Sequence, residues 1–347
     1  GKHVCSLLNE NNISYSKFVF PQENVEPDEF SVGQVVMNFN SNCDFIIGVG
    51  SGTINDIGKI IAKVTGLKYM IVCTAPSMDG YASGTSSMVL DNVKVSIDTS
   101  CPVAIVADMD IICSAPMKLL QAGLGDMLAK YISICEWRIS HIINQEYYCE
   151  QVATLVRRSL EKCFQSAEGL LKRDPESVAS IMEGLILAGI AMKLAGVSRP
   201  ASGIEHYFSH IWDMRDLRFN KNSELHGIQV GIGTVLSLQI YNMIREILPD
   251  KEKALSYVKE FNLSKWEEFL KGFLGKSGET LIQIEKEEGK YDKEKHKVRL
   301  DTIIYHWDMI LEVINQELPE PSAVIELLES IDAPVKPGDV GLSQDEV

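Results

Sequence analysis

The sequence is poor in basic residues and has no closely paired cysteines, and each deficit excludes a class of protein. Its 347 residues contain 33 Lys and Arg against 48 Asp and Glu, a formal net charge of −15. This balance disfavours a nucleic-acid partner, whose phosphates require a broad basic face. A small anion needs only a local group of hydrogen-bond donors, so the charge does not exclude a phosphorylated ligand.

The 8 cysteines form no CxxC pair, which argues against a zinc ribbon and against a disulfide framework. Several lie in apolar runs, as Cys73 does in YMIVCTAP, and we expect reduced, mostly buried thiols in a cytoplasmic protein. No apolar run approaches the roughly 20 residues of a membrane helix, and no signal peptide is evident. We therefore expect no membrane insertion.

The remaining composition is that of a folded globular chain, with 45% apolar and 23% charged residues over a length typical of two domains. Up to about residue 115, we predict a helix over 54–64 and strands over 15–21, 43–50, 67–76, 93–99 and 102–108. Strands interleaved with helices predict a largely parallel sheet with helices on its faces. Because the chain opens on a helix-like stretch, we expect this α/β domain to lack its first strand.

From Pro116 onward the sequence predicts helices and no convincing strand. They are expected over 117–140, 150–171, 177–194, 202–214 and 225–248, and over much of 251–275 and 297–331. We therefore predict an α/β domain over 1–115 and an all-helical domain over 116–347. The apolar helices of the second domain make a homo-oligomer the expected assembly.

A glycine-rich turn, GVGSGTIND (48–56), follows the buried strand and opens the next helix. Glycine lets the backbone approach a phosphate closely, and a helix N-terminus offers free N–H donors. This pattern favours a pyrophosphate site that needs no Lys or Arg. Glycine that serves only helix–strand packing is the alternative.

The next strand ends in Thr74-Ala-Pro-Ser77, followed by Asp79 and Ser83 on a loop. In open α/β sheets ligands bind at the carboxyl ends of the strands. Two adjacent strand ends rich in glycine and hydroxyl groups therefore predict a dinucleotide crevice, with Asp79 and Ser83 near the reactive end of the cofactor. Asp79 in SMDG is also a common turn residue, so an ordinary turn stays open.

Three histidines suggest a metal site in the helical half. His206 and His210 are four residues apart and share a helix face, in a helix whose start is predicted by the capping-box pair Ser202 and Glu205. His226 begins the next helix. Satisfied core or surface histidines are the alternative.

A divalent metal bound by two histidines favours a carboxylate as a further ligand, and Asp126 in the apolar setting GLGDMLAKY is the best candidate. An ordinary i,i+4 salt bridge from Asp126 to Lys130 is equally compatible with the spacing. Three protein ligands leave a coordination position open, as in catalytic sites, where the metal polarises a hydroxyl or carbonyl oxygen. With a nicotinamide in the crevice, the two halves predict metal-assisted oxidation of an alcohol.

The chain resembles the sn-glycerol-1-phosphate dehydrogenase family (AraM-like proteins) in five motifs in the same order: GVGSGTINDIGK, TAPSMDGYAS, GLGDMLAKY, SRPASGIEHYFSH and LHGIQVG. That family belongs to the superfamily of iron-containing alcohol dehydrogenases, glycerol dehydrogenase and dehydroquinate synthase. The resemblance implies a Rossmann-like NAD(P)-binding domain, an all-α domain, and interconversion of dihydroxyacetone phosphate and sn-glycerol 1-phosphate. It implies NAD or NADP as coenzyme and one divalent metal, Zn²⁺, Ni²⁺ or Fe²⁺.

Transferred position by position, the resemblance also assigns the site. Asp126, His206 and His226 would hold the metal, and Asp79, Asp126 and His210 would contact a small phosphorylated polyol or ketone. The dinucleotide would be bound by Gly50, Gly52, Thr53, Ile54, Asn55, Asp56, Thr74, Ala75, Pro76, Ser77 and Ser83. Arg199, just before the predicted cap, is our choice for the substrate phosphate.

Two positions depart from the family pattern, Ile204 beside the ligands and Glu136 where Asp is expected. The strand expected before residue 1 would carry residues that select the adenine ribose, so the choice between NAD and NADP stays open. An unphosphorylated polyol dehydrogenase of the same superfamily and a non-catalytic nucleotide- or metal-binding regulator are the alternatives. A dehydroquinate-synthase-like cyclase is disfavoured, because the sequence shows no cluster of basic residues for its larger substrate.

Overall fold

The strands form where apolar runs end in glycine, proline or a polar turn. The computed structural model describes residues 1–91, 93–219, 221 and 223–343. Within them the strands are β1 Phe45–Gly50, β2 Lys68–Cys73, β3 Thr85–Leu90, β4 Val93–Asp98 and β5 Ala104–Ala107.

Three of these strands make a parallel sheet in the order β1-β2-β5, as the sequence predicts. Gly50 lies opposite Cys73, which lies opposite Ala107, so the three carboxyl ends meet at one edge. The strands β3 and β4 form a separate antiparallel hairpin, in which Val89 lies opposite Lys94. β3 was not predicted, because its alternation of small polar and apolar residues in TSSMVL is short.

Helices flank the sheet, and after Pro116 the described chain contains helices and connecting loops but no strand. Those of the first part are α1 Lys2–Glu10, α2 Glu29–Met37, α3 Gly52–Thr65 and α4 Met109–Cys113. Those that follow are α5 Met117–Leu128, α6 Lys130–Asn144, α7 Glu150–Ser166, α8 Pro175–Ala195, α9 Ile204–Phe219, α10 His226–Arg245, α11 Lys251–Glu260, α12 Leu263–Leu274, α13 Lys276–Glu288, α14 Lys293–Tyr305, α15 Trp307–Glu317 and α16 Pro321–Ser330. The division into domains at residue 115 stays a prediction, and the last four residues of the predicted second domain lie outside the described part.

Three predictions about elements are wrong. Residues 15–21 form no strand, because none of the described segments pairs with them through a ladder of hydrogen bonds. The helix predicted over 117–140 is divided at Ala129 into α5 and α6. The helix α9 begins at Ile204 rather than at Ser202, and the Glu205 carboxylate accepts a hydrogen bond from the Gly203 N–H at 2.7 Å.

One helix contains a longer apolar segment than the sequence analysis predicts, since no apolar run was expected to approach the length of a membrane helix. α8 is long and apolar enough to cross a membrane by length and composition, with a mean hydropathy of 1.7. It packs among other helices, and its residues Val178, Ile181, Leu185 and Ala188 are buried in the main hydrophobic cluster. This is the packing of a core helix.

The helices α5 and α10 approach each other so closely that only glycine fits at their crossing. A Cβ atom on Gly125 would lie 2.2 Å from the Gly227 carbonyl oxygen, and one on Gly227 would lie 2.0 Å from the Ala122 carbonyl oxygen. Asp126 follows Gly125, and His226 precedes Gly227. The close approach therefore places these two side chains next to each other.

We predict that Gly125→Ala destabilises the protein by roughly 1–3 kcal/mol, because the added methyl group forces the two backbones apart. Thermal or urea unfolding of the purified variant measures this loss. Gly33→Ala is the matched control, since a Cβ there meets no atom within 4 Å and the residue lies inside α2. It should be neutral or stabilise by about 0.5–1 kcal/mol. Equal stability of the two variants would contradict the assigned close approach.

Candidate active site

The residues predicted to bind the dinucleotide follow the adjacent carboxyl ends of β1 and β2. The Thr74 N–H donates to the Gly50 carbonyl at 3.0 Å, so the two strand ends are joined directly. In α3 the first backbone bond runs from the Asn55 N–H to the Ser51 carbonyl at 3.1 Å. The N–H groups of the turn before Asn55 therefore have no helical partner, which fits a bound pyrophosphate.

The rest of the predicted dinucleotide set lies around the same edge. Thr74 and Ser77 are half-buried, and Ala75 and Pro76 are buried. The Ala75 carbonyl accepts a hydrogen bond from the Tyr81 hydroxyl at 2.6 Å, which fixes the strand end against the following loop. The structure thus collects these residues at one edge of the sheet.

Lys59 joins the glycine turn to the loop that carries Asp79 and Ser83. Its side chain is 1% exposed, and its Nζ donates to the Gly80 carbonyl at 3.0 Å and to the Ser83 hydroxyl at 3.2 Å. It also pairs with Asp56 at 3.1 Å, and the Asn55 amide donates to the same Gly80 carbonyl at 3.1 Å. Burial raises the pKa of Asp56, and the Lys59 charge opposes that rise. Lys59 was not predicted as a site residue, although its position one turn after Asn55 was a usable signal.

Lys130 lies at the centre of the site with no exposed surface. Its Nζ donates to Asp79 Oδ2 at 2.6 Å, to Asp126 Oδ1 at 3.0 Å and to the Ala201 carbonyl at 3.1 Å. The ordinary salt bridge considered as an alternative is therefore present, but it links three segments of the site instead of one helix face. Burial alone would lower the pKa of Lys130, and the two carboxylates outweigh it and raise the pKa.

Asp79 and Asp126 also touch each other through the backbone, since the Asp79 N–H donates to Asp126 Oδ2 at 2.9 Å. Burial and the charge of Asp126 raise the pKa of the Asp79 carboxyl, and the Lys130 ammonium opposes the rise. Both oxygens of Asp126 are thus held by other groups. This fixes its orientation toward the histidines.

Asp126, His206 and His226 meet as the sequence predicts for metal ligands. One ligand atom of each lies within 4.8 Å of those of the other two, and Asp126 Oδ1 is 3.9 Å from His206 Nε2. The ring centroids of His206 and His226 are 5.1 Å apart. Imidazole nitrogens and carboxylate oxygens bind a divalent metal at about 2.0–2.2 Å, so this donor set suits Zn²⁺ or a similar ion.

Each histidine of the cluster is held through its Nδ1 atom, which leaves Nε2 for a metal. His206 Nδ1 lies 2.7 Å from Glu205 Oε1, and His226 Nδ1 lies 3.0 Å from the Ser209 hydroxyl. The Ser209 hydroxyl donates to Gln229 at 2.7 Å, so it accepts from His226. Such outer partners orient metal-binding histidines and set their tautomer. Burial, followed by the charge of Lys94, lowers the pKa of His226 well below 6.5 and favours the neutral ligand form.

His210 completes a triangle with the other two rings, at centroid distances of 6.2 Å and 6.3 Å. Lys94 of the β3–β4 hairpin pairs with Asp213, which lies one turn after His210 on α9. Lys94 was not predicted as a site residue, because nothing in VKVSID marks the lysine.

Arg199 is placed differently from the other predicted residues. Its Nε donates to Glu146 at 2.9 Å, and its charge acts on Glu136 and Tyr207. The contacts described for Arg199 do not reach the ligand cluster. A role for Arg199 on the substrate phosphate therefore has no support in this geometry.

Behind His206 lies a second pair of carboxyl groups, the half-buried Glu136 and the buried Glu205. Glu136 accepts hydrogen bonds from the Ile204 N–H and the Tyr241 hydroxyl, both at 3.0 Å. Burial, and then the charge of Glu205, raises the pKa of Glu136 to about 7. Within the described residues, Glu205 Oε2 is buried and accepts no hydrogen bond.

Comparison with known proteins gives a consistent result along the chain. A family model described as iron-containing alcohol dehydrogenase matches residues 1–116. The chain is 30% identical over 346 residues to the glycerol-1-phosphate dehydrogenase (NAD(P)+) of Halalkalibacterium halodurans, which covers 99% of this chain and 76% of that protein. It is 35% identical over 247 residues to the protein of the same name from Geobacillus thermodenitrificans, covering 70% and 61%.

Solved structures share the fold. The glycerol dehydrogenase of Schizosaccharomyces pombe superposes with a TM-score of 0.55 at 16% identity, over 95% of this chain and 79% of that one. An iron-containing alcohol dehydrogenase from Corynebacterium glutamicum gives 0.57 at 15% identity, over 99% and 76%. At these identities the likeness is one of fold alone.

We predict that Lys130→Met lowers the free energy of unfolding by about 3–5 kcal/mol, because two buried carboxylates lose their counterion. Urea unfolding at neutral pH without added metal measures the loss. Lys162→Met removes an exposed lysine that pairs with Glu183 on the surface, and it should stay within about 1 kcal/mol of the parent. A loss as small as that of the control would show that Lys130 does not neutralise the pair.

We also predict a pH-dependent effect of Glu136→Gln. A carboxyl whose pKa rises from 4.5 to about 7 on folding stabilises the fold fully below about pH 4.5, and this contribution is lost as the pH rises to about 7. The difference in the free energy of unfolding between Glu136→Gln and the parent should therefore shift in favour of the variant from pH 5 to pH 8, by up to about 3 kcal/mol. Urea unfolding at both pH values measures the difference. Glu161→Gln, an exposed position on α7, should show no such gain, and a flat difference for Glu136→Gln would contradict the assigned shift.

Proposed function

The chain belongs to the glycerol-1-phosphate dehydrogenase family, and on this basis we propose that it interconverts dihydroxyacetone phosphate and sn-glycerol 1-phosphate with NAD(P)H. The observation that carries the proposal is the convergence of Asp126, His206 and His226 on one point. Asp79, which follows the strand end at the dinucleotide edge, is tied to that point through Asp126 and Lys130. A reductase needs its coenzyme and its carbonyl activator side by side, and this link between the two predicted sets of residues supports the proposal.

Asp126, His206 and His226 would hold one divalent metal, Zn²⁺, Ni²⁺ or Fe²⁺, and the glycine turn and α3 would hold the dinucleotide. When bound, the metal supplies Lewis-acid polarisation of the substrate carbonyl, and the nicotinamide supplies the hydride. Glu205 and Ser209 keep Nε2 of the two histidines free for the metal. The metal and the dinucleotide would therefore supply the reaction chemistry, and the protein would hold them in position.

The remaining residues orient the substrate and govern its protons. Asp79 and Asp126 share the Lys130 ammonium, which limits their mutual repulsion beside the reacting carbon. His210 lies one helical turn from His206 on the same face and would hydrogen-bond a substrate hydroxyl or relay a proton. A cytoplasmic location, a homo-oligomeric assembly and the absence of nucleic-acid and membrane partners stay predictions from the sequence.

The purified protein is expected to oxidise NADH or NADPH with dihydroxyacetone phosphate, and to lose this activity on treatment with a chelator. Absorbance at the nicotinamide band follows the reaction, and chiral analysis should identify sn-glycerol 1-phosphate as the product. Re-addition of Zn²⁺ or Ni²⁺ should restore turnover. Faster turnover with unphosphorylated dihydroxyacetone would favour the polyol dehydrogenase instead, and formation of the 3-phosphate enantiomer would overturn the proposal.

His206→Ala is the matched variant for this test. It should retain the fold, bind less than one tenth of the metal of the parent, and show no metal-dependent turnover. Circular dichroism checks the fold, and elemental analysis counts the metal. Full turnover with an unmetallated variant would remove the metal from the proposed reaction.

A further inference from the structure

We propose that Lys94 binds the phosphate of the substrate and thereby selects phosphorylated ketones over neutral ones. The inference rests on the proposed function and assigns the role to a residue of the β3–β4 hairpin that lies outside the predicted motifs. It replaces Arg199 in that role.

Lys94 reaches across the site from the α/β part of the chain. It lies on β4, opposite Val89, and its ammonium group pairs with the carboxylate of Asp213 on α9. Asp213 follows His210 by three residues, so it faces the same way from the helix. The lysine side chain is 20% exposed, so part of it is accessible to a ligand.

The hairpin that carries Lys94 contacts both halves of the candidate site. On the helical side, Lys94 pairs with Asp213, one turn after His210 on α9. On the other side, the Ser86 hydroxyl of β3 donates to the Asp56 carbonyl of α3 at 3.2 Å. A cation in this position is near the ligand cluster and near the dinucleotide helix at once. A small substrate could therefore place its carbonyl at the ligand cluster and its phosphate against Lys94 at the same time.

Three other described cations of this part of the chain are already bonded to protein groups. Lys130 is wholly buried and bonded to two carboxylates and a carbonyl. Lys59 is buried and bonded to Asp56, Gly80 and Ser83. Arg199 pairs with Glu146 away from the cluster.

The Lys94 ammonium has further N–H donors besides the one that bonds to Asp213. An ammonium group carries three N–H donors, and a phosphomonoester carries about −1.5 to −2 charge with three strong acceptor oxygens. Asp213 holds the ammonium in place, so less rotamer freedom is lost when a phosphate adds its own hydrogen bonds. A neutral triose offers no such charge, and Lys94 therefore contributes to recognition only when the phosphate is present.

The test compares dihydroxyacetone phosphate with dihydroxyacetone in the metal-loaded protein. Lys94→Met should lower the ratio of kcat/KM for the two substrates by about 10- to 100-fold, mainly through KM of the phosphorylated one. Lys94→Arg should recover part of the ratio. Lys63→Met is the matched control, because Lys63 is exposed and bonds only to the Asp98 carbonyl at the far end of the hairpin among its described contacts. It should leave the ratio unchanged.

Asp213→Asn separates phosphate recognition from a purely structural ion pair. If Lys94 binds phosphate, Asp213→Asn keeps or raises the ratio, since the ammonium stays and loses a competing anion. If the pair only clamps the two parts of the chain together, Lys94→Met and Asp213→Asn lower kcat/KM alike on both substrates, and the proposal is wrong. Should Lys94→Met fail to fold, the double variant Lys94→Met with Asp213→Asn removes the pair without leaving a buried charge.

Calorimetric titration with inorganic phosphate gives a readout independent of turnover. In the metal-loaded protein saturated with NAD+, Lys94→Met should bind phosphate at least tenfold more weakly than Lys63→Met. Equal affinity in the two variants overturns the proposal. If the parent reduces neither ketone while phosphate binding still requires Lys94, the proposed reaction fails and the assignment of Lys94 stands.

Discussion

The buried ammonium of Lys130 is the contact on which the candidate site depends. It binds the loop after β2 through Asp79, the helix α5 through Asp126 and the segment before α9 through the Ala201 carbonyl. Two carboxylates buried side by side would repel each other by several kcal/mol, and desolvation would add to that cost. The lysine offsets both effects, and because it does so with one group, the three segments are fixed to one another.

Helix packing supplies the second constraint. The glycine contact between α5 and α10 brings Asp126 and His226 together, while Asp126 meets His206 on α9 across a gap of 3.9 Å. Neither constraint suffices alone: the helix crossing sets where the ligands are, and their outer hydrogen bonds set which atoms they present. Glu205 and Ser209 hold Nδ1 of the two histidines, as second partners do in metal sites generally.

Much of this arrangement can be predicted from the sequence, because the glycine turn, the strand end and the histidine spacing are local patterns with a known physical cause. The parallel sheet and the helical second half are confirmed by the structure. The strand expected at 15–21 was wrong because β propensity cannot supply a pairing partner. Lys130 was weighed only as a helix salt bridge, because its bonds to Asp79 and Ala201 span 51 and 71 residues. Arg199 was predicted from its position just before the expected helix cap, and its bond to Glu146 gives that role no support. Lys94 lies on a hairpin that no motif marks.

The bonds of Lys59 have a consequence for binding entropy. They fix the loop from Gly80 to Ser83 on α3 through groups of the chain itself, so the order of this loop does not depend on contacts with a dinucleotide. Ordering a flexible loop of this length would weaken binding by about 1–2 kcal/mol for each residue fixed. A cleft wall that is rigid beforehand therefore favours tight binding through a small entropy loss rather than through additional contacts. The same rigidity means that Asp79, one residue before the loop, already stands in position when the substrate enters.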